Sequence, residues 1–384
     1  MIILIISPGL VEVPPIRIIG GIPEMDYRIG SQISARYKTI ITSPFYYKYQ
    51  KYKKINKNLK ILYIYHPAIN RSPKVHILRL SLETLSILFF YTFQVITNII
   101  KLKKYELNLV VLSERYSGII QILVCKLLKV KTIFSESNPY PWYSPFLNKK
   151  PSAISWGVNL SFGKLACKLA DKIRAQSILI KRGMINYGIS KDKIEIIPAG
   201  VDTNIFRPYN SNETNYVVGF LGRLTEEKGA SLLYDIMKAC EKELPEVKFI
   251  VLGSGPYENM LKNLKNIAFQ QAVPRNVLPT FINKADVFVS TYYDFSLSDL
   301  EILSCGKPLI KINTPEMNEL FKNYEEIIFC DKNVKDFVNK IKLLYENKDL
   351  CKKIGENARK KVEKEFDWKV IGEQWIRLIN SLLK

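Results

Sequence analysis

Short apolar runs alternate with amphipathic stretches along most of the 384 residues. Strands are predicted at Ile2–Ser7, Thr39–Thr42, Leu59–Tyr65, Leu107–Leu112, Val130–Ser135, Asp171–Ala175 and Lys193–Pro198. Helical spacing is read at Pro23–Ala35, Gly118–Leu128, Leu160–Ala170 and Trp368–Leu383. After Tyr216 the alternation restarts with strands at Val217–Leu221 and Val247–Leu252. The helix between them presents Leu232, Leu233, Ile236, Met237 and Cys240 on one face. Strand–helix–strand alternation of this kind predicts parallel sheets covered by helices, the α/β class. The Pro-, Gly- and Asn-bearing stretch 198–215 falls between the two series and reads as an interdomain connection.

The stretch Ala285–Ile310, ADVFVSTYYDFSLSDLEILSCGKPLI, is the most informative. Val287–Val289 is a buried strand by pattern, Ser290–Ser296 a polar loop, and Leu297 starts a helix. Gly306 stands where a helix ends and Pro308 prevents its continuation, so Leu309–Ile312 opens the next strand. A helix N-terminus at the carboxyl edge of a parallel sheet is a place for an anion, because its first amides lack partners and its dipole is positive there. Glu301, in the first turns, is suited to accept hydrogen bonds from sugar or ribose hydroxyls.

Length favours two domains over one, and 47% hydrophobic with 24% charged residues is ordinary globular composition. The net charge of +21 changes the picture, because it lies almost wholly in the first half. Residues 1–200 carry 30 Lys and Arg against 10 Asp and Glu, and the remainder 27 against 26. Such a half suits an anionic partner: a membrane surface, a phosphorylated lipid or a nucleic acid. The stretch Tyr46–Lys60 interleaves six lysines with four tyrosines and reads either as a solvated face or as an interfacial patch. Thr84–Ile100 is uncharged but broken by Thr, Ser, Gln and Asn, and reads as a largely buried helix rather than a membrane span. Six dispersed cysteines without C-x-x-C argue against disulfides and zinc and point to a reducing compartment. Met1–Leu10 lacks the basic start of a signal peptide.

Arg223 and Lys228 fall on the turn after one strand, close to a helix start, where two cations suit a diphosphate. Gly20 and Gly21 follow the first strand without forming G-x-G-x-x-G. Glu136, Ser137 and Asn138 crowd the end of the Val130–Ser135 strand.

Four ordered motifs carry a closer likeness: PAGVDTNIFRP (198–208), GFLGRLTEEKG (219–229), FIVLGSGP (249–256) and the 285–310 stretch. With LVVLSERYSG (109–118) and TIFSESNPYPW (132–142), the chain resembles the family 4 glycosyltransferases, retaining enzymes of the GT-B fold that use nucleotide sugars. The resemblance implies two Rossmann-like domains facing a central cleft, an acceptor domain over 1–205 and a nucleotide-sugar domain over 206–365. The helix over 366–384 returns to the first. It assigns Arg223 and Lys228 to the donor diphosphate, where departing charge needs neutralising, and Glu301 to the nucleotide ribose. Ser296, Leu297 and Ser298 would offer backbone amides to the phosphates. Gly21, Val273 and Asp294 would border the donor, and Glu136, Ser137 and Asn138 the acceptor. The donor would be a UDP- or GDP-sugar, with no cofactor and no metal, and D-x-D is absent from the sequence.

The chain departs from the family pattern twice. Tyr293 stands where the first glutamate of E-x7-E is usual, and Ser137 stands where a histidine is usual. Both departures leave open a catalytically impaired subunit that binds sugar nucleotides. A nucleic-acid-binding protein would use the basic half but leave Arg223, Lys228 and Glu301 without work. With the charge of the first half, the expectation is a peripheral enzyme on the cytoplasmic face of a membrane, acting on a glycan or lipid-linked acceptor.

Overall fold

The computed structural model describes residues 1–7, 21–45, 52–65, 92–143, 153–209, 215–271 and 273–384. Contacts divide the chain into two units. One comprises 1–143, 151–198 and 371–384, and the other 144–150 and 199–370.

The first unit opens with β1 (Ile2–Ile6), α1 (Gly21–Ile33), β2 (Lys38–Phe45), β3 (Tyr52–Lys54) and β4 (Leu59–Tyr65). After α2, over residues 92–103, come β5 (Leu107–Leu112), α3 (Tyr116–Leu127), β6 (Lys131–Glu136) and α4 (Ala153–Leu169). The series closes with β7 (Lys172–Ala175), α5 (Ile178–Asn186) and β8 (Ile194–Ile196). The sheet runs β3-β4-β2-β1-β5-β6-β7-β8, parallel except for β3, which pairs antiparallel with β4. Ile3, Leu4, Ile5 and Ile6 are all buried, as expected of a central strand covered on both faces.

The second unit holds β9 (Val217–Leu221), α6 (Ala230–Glu243), β10 (Lys248–Leu252), α7 (Glu258–Lys262) and β11 (Ile267–Gln270). It continues through α8 (Leu278–Lys284), β12 (Val287–Ser290), α9 (Leu297–Ser304) and β13 (Leu309–Ile312). Then follow α10 (Pro315–Leu320), β14 (Ile328–Cys330), α11 (Val334–Glu346) and α12 (Lys348–Glu365). Its all-parallel sheet runs β11-β10-β9-β12-β13-β14, with a separate apolar cluster on each face.

The final helix, α13 (Trp368–Leu383), belongs from Ile371 onward to the first unit. It is fastened there by Tyr37 Oη donating to Asn380 Oδ1 at 2.5 Å and by the Arg36–Glu373 ion pair at 3.2 Å. Its own Trp375 is fully buried, with the Arg174 guanidinium 5.9 Å from the ring.

Three stretches differ in detail from their sequence pattern. The stretch 198–215 is expected as an interdomain connection, and the boundary between the units falls at its start, but its described residues up to 208 are packed into the second unit. Val201 bridges to Asp367, Phe206 is fully buried, and Arg359 donates to the carbonyls of Thr203, Phe206 and Ser304 at 2.6–2.9 Å. The connection is thus a packed strap. In Thr84–Ile100, residues 84–91 lie outside the described residues, and the helix that follows is buried on one side only. Val95 and Ile99 are buried whereas Phe93 and Ile100 are exposed. Of Tyr46–Lys60, residues 46–51 also lie outside, and β3 forms an exposed edge. Helix α5 was not expected, since Lys181, Arg182 and Gly183 interrupt its apolar pattern. Ser177 caps it by accepting from Ile180 N.

Among the described residues no helix is long and apolar enough to cross a membrane. All six cysteines are unpaired, five of them buried.

Candidate functional site

In the second unit the chain leaves β9 for β10 and β11 on one side, then returns to β12 on the other. The strand order therefore reverses between β9 and β12. Helices connecting in opposite directions leave a crevice at the carboxyl ends of such neighbours, the usual ligand position in open parallel sheets. The loops that meet there are 222–229 and 291–296.

They meet closely. Thr291 Oγ1 donates to the Lys228 carbonyl at 2.7 Å. Gly229 has φ +73°, and a Cβ on it would lie 2.6 Å from the Thr291 carbonyl oxygen, so only glycine closes this turn. On the other side, a Cβ at Gly253 would collide with the Gly222 carbonyl at 1.9 Å. The loops after β9, β10 and β12 are thus fitted backbone to backbone.

The N-terminus of α9 is fixed from beneath. Ser296 caps it: its hydroxyl accepts from Asp299 N at 3.3 Å, and Asp299 Oδ2 accepts from Ser296 N at 2.8 Å. Lys311, fully buried on β13, donates to Asp299 Oδ2 (3.1 Å), Ser290 Oγ (3.0 Å) and the Tyr292 carbonyl (2.8 Å). This three-way bond joins the end of β12, its loop and the helix cap. Of the three residues expected to offer amides, Ser296 has its own committed to the cap. The amides of Leu297 and Ser298 are the two at this terminus that the capping box does not use.

Lys228 carries the charge into this crevice. Its Nζ lies 3.2 Å from the centroid of the Tyr292 ring, an aromatic face that attracts a cation. Loss of water lowers its pKa to about 8, a fall opposed by Glu227 and Asp299 and assisted by Arg223 and Lys311. Arg223 is exposed and reaches Glu227 at 3.1 Å, so both expected cations flank one carboxylate. Glu301 is buried two residues beyond Asp299 and is ion-paired with Arg275, from the β11–α8 loop. The Arg275 guanidinium in turn lies 5.2 Å from the Phe206 ring. Arg275 was missed at the sequence level. The available signal was a cation in a loop at the carboxyl end of a strand.

The remaining donor-side residues are placed as follows. Val273 packs half-buried against the cluster containing Phe206. Asp294 is buried and accepts from Phe295 N at 2.8 Å. Tyr293 is buried too, its ring 4.8 Å from that of Tyr292, so a phenol occupies the place of the usual glutamate. Gly21 opens α1 in the first unit.

The first unit has its own polar centre at the carboxyl edge of its sheet. Buried Glu136 accepts from Arg115 (2.7 and 2.9 Å), Trp142 Nε1 (3.1 Å) and the amides of Ser137 and Asn138 (3.1 Å each). So many donors make it a hub of the local structure and leave it little capacity for a substrate. Ser137 Oγ instead accepts from Arg174 NH1 at 2.9 Å. Asn138 turns its Oδ1 to Tyr140 N at 3.0 Å. Arg174 is fully buried, also donating to the Ile197 carbonyl at 2.6 Å, and burial lowers its pKa to about 9. Nearby Asp26 is pushed by burial to about 7, against the pull of Ser7 and Arg174.

Among the described residues no three His, Cys, Asp or Glu side chains gather as a metal site.

Two family models cover most of the chain: Glycosyltransferase Family 4 matches residues 60–205 and Glycosyl transferases group 1 matches 201–361. A curated relative, the sulfoquinovosyl transferase SQD2 of Arabidopsis thaliana, is 26% identical over 271 residues, 65% of this chain and 51% of its own. The chain spans about half to two thirds of the length of the curated relatives it matches. Sucrose-phosphate synthase from Thermosynechococcus elongatus superposes with a TM-score of 0.78 at 16% identity, covering 99% of this chain and 98% of that one. Anabaena HepE in complex with UDP-glucose superposes with 0.70 at 15% identity, covering 99% and 100%. At these identities what the two structures share with the chain is the fold, over nearly its whole length. The chain belongs to the family 4 glycosyltransferases of GT-B fold.

Proposed function

We propose that the protein transfers a hexosyl group from a UDP- or GDP-sugar to a glycan or lipid-linked acceptor, retaining the anomeric configuration and needing no metal. One observation carries this reading: Lys228 and the two uncommitted amides of α9 lie at the strand-order reversal of the second unit. A nucleotide diphosphate leaving group gains negative charge as the glycosidic bond breaks. An ammonium in a dry setting stabilises that charge far more than one in water. Arg223, tethered only by an exposed ion pair, swings to the second phosphate. Glu301, aligned by Arg275, accepts from the ribose hydroxyls. The departing phosphate takes the acceptor's proton on the same face of the sugar, so no protein base is required, and Ser137 in place of histidine is tolerated. The acceptor lies with the basic first unit, which docks the protein on the cytoplasmic face of an anionic membrane.

Sugar transfer from UDP- and GDP-sugars, with thermal shift by the same nucleotides, tests the reading. Binding to the native state raises the melting temperature. Nucleotide binding and transfer, both lost in Glu301→Ala, are expected. A second reading, a binding subunit without transferase activity, is favoured by the buried Tyr293 in place of a carboxylate. Nucleotide binding without transfer to any acceptor would establish it. No binding at all would end both.

A further inference from the structure

The membrane reading says that the first unit faces lipid but not which surface does so. Strands β5, β6 and β7 are neighbours in sequence and in the sheet, so the right-handed crossovers through α3 and α4 place both helices on the same face. The two helices pack together. Ile119, Ile122 and Cys125 of α3, with Ala166 and Cys167 of α4, are turned into the core.

Their outward faces are unusual. On α3, Ile120, Leu123 and Leu127 follow i, i+3, i+7 spacing and are exposed, Leu127 by 84%. On α4, Val158, Phe162 and Leu165 follow i, i+4, i+7 spacing and are exposed. Isolated exposed leucines need no explanation, but a run of aliphatic residues over two adjacent helices does. The charge that the two helices themselves carry has a single sign. The two helices contribute Lys126, Lys164 and Lys168 and no Asp or Glu, and Lys129 follows, exposed, just after α3.

We propose that this α3–α4 face is the surface that inserts into an anionic lipid bilayer, a proposal that rests on the membrane reading above. Aliphatic tips flanked by lysines match the boundary between acyl chains and anionic headgroups. Among the described residues a nucleic acid would find one exposed ring here, Phe162, against five exposed aliphatic side chains, Ile120, Leu123, Leu127, Val158 and Leu165, whereas successive bases stack on successive rings. A second copy would bring lysine against lysine.

Co-sedimentation of the full chain with phosphatidylcholine vesicles, with and without phosphatidylglycerol, tests it. Wild type is expected to sediment with the anionic vesicles. The Leu123→Glu/Leu127→Glu variant should bind at least about tenfold more weakly, and Lys126→Gln/Lys164→Gln/Lys168→Gln about a hundredfold more weakly at low salt. A UDP-induced melting shift equal to wild type would show both variants folded. As an independent readout, Leu127→Trp should show a blue-shifted emission on adding anionic vesicles. Wild-type binding that neither variant weakens, or an unmoved Leu127→Trp spectrum, overturns this face and leaves the membrane reading standing. Wild type that stays in solution overturns both, while its nucleotide shift reports separately on the transferase reading. A variant that changes only from dimer to monomer assigns the face to self-association and overturns the proposal.

Discussion

Lys311 Nζ sits 3.1 Å from Asp299 Oδ2, and both side chains are shut off from solvent. The pair matters because Asp299 also holds the cap of α9, so the lysine anchors the amides offered to a ligand. Lys311→Met would leave a buried carboxylate without its counter-charge, at a cost of about 3 kcal/mol. Urea unfolding should show that loss, with weaker nucleotide binding alongside. Adding Asp299→Asn should restore part of the stability but not the binding.

Lys228, placed as proposed beside the donor diphosphate, should make nucleotide affinity depend on pH. Its pKa is about 8 in the free protein, and a neighbouring diphosphate raises it, because the anion favours the charged form. Binding therefore takes up a proton above that value. Affinity should be level below about pH 8 and fall by up to about tenfold per unit above it. Calorimetry with UDP across this range checks the slope. Lys228→Arg should flatten it, since guanidinium stays charged.

Arg275 and Glu301 should act as one unit. Arg275→Ala removes the ion pair that aligns the Glu301 carboxylate toward the proposed ribose position. Both single alanine variants should weaken nucleotide binding, and the double variant should lose much less than the sum. Strict additivity in the double-mutant cycle would mean the ion pair does not position the carboxylate.

Asp26 gives the stability of the protein an acid-favoring component. Its carboxyl titrates near 7 when folded and near 3.8 otherwise, so between those values the native state keeps a proton the unfolded chain has lost. Stability from this group is complete below about pH 4, declines as pH rises, and levels off above about 7. The ceiling is about 4 kcal/mol. Asp26→Asn should remove that decline in melting curves taken from pH 4.5 to 7.5.

The sequence made most of the second unit legible because its signals are local. The end of α9 is announced by Gly306, found at φ +69°, and by Pro308; the limits of α13 follow from apolar spacing alone. Interactions between distant residues were not legible. Arg275 and Glu301 lie 26 residues apart by number, and nothing in either neighbourhood names the other. Phe206 is surrounded by Asp, Asn, Arg and Pro, which reads as surface although its ring fills the core. Glu136 looked chemically available because the sequence cannot show that Arg115 and Trp142 close upon it. Lys311 sits mid-strand in an apolar run, where its burial depends on a partner 12 positions earlier.

The placement of α13 sets an order on biosynthesis. The bonds from Arg36 and Tyr37 reach residues 337 and 343 positions downstream, so during synthesis the first unit waits for α13. Until then the groove destined for Trp375 stays open beside the Arg174 guanidinium, and the nascent intermediate exposes apolar surface while the second sheet is being made. Synthesis of α13, rather than completion of β8, is the event that seals the first unit.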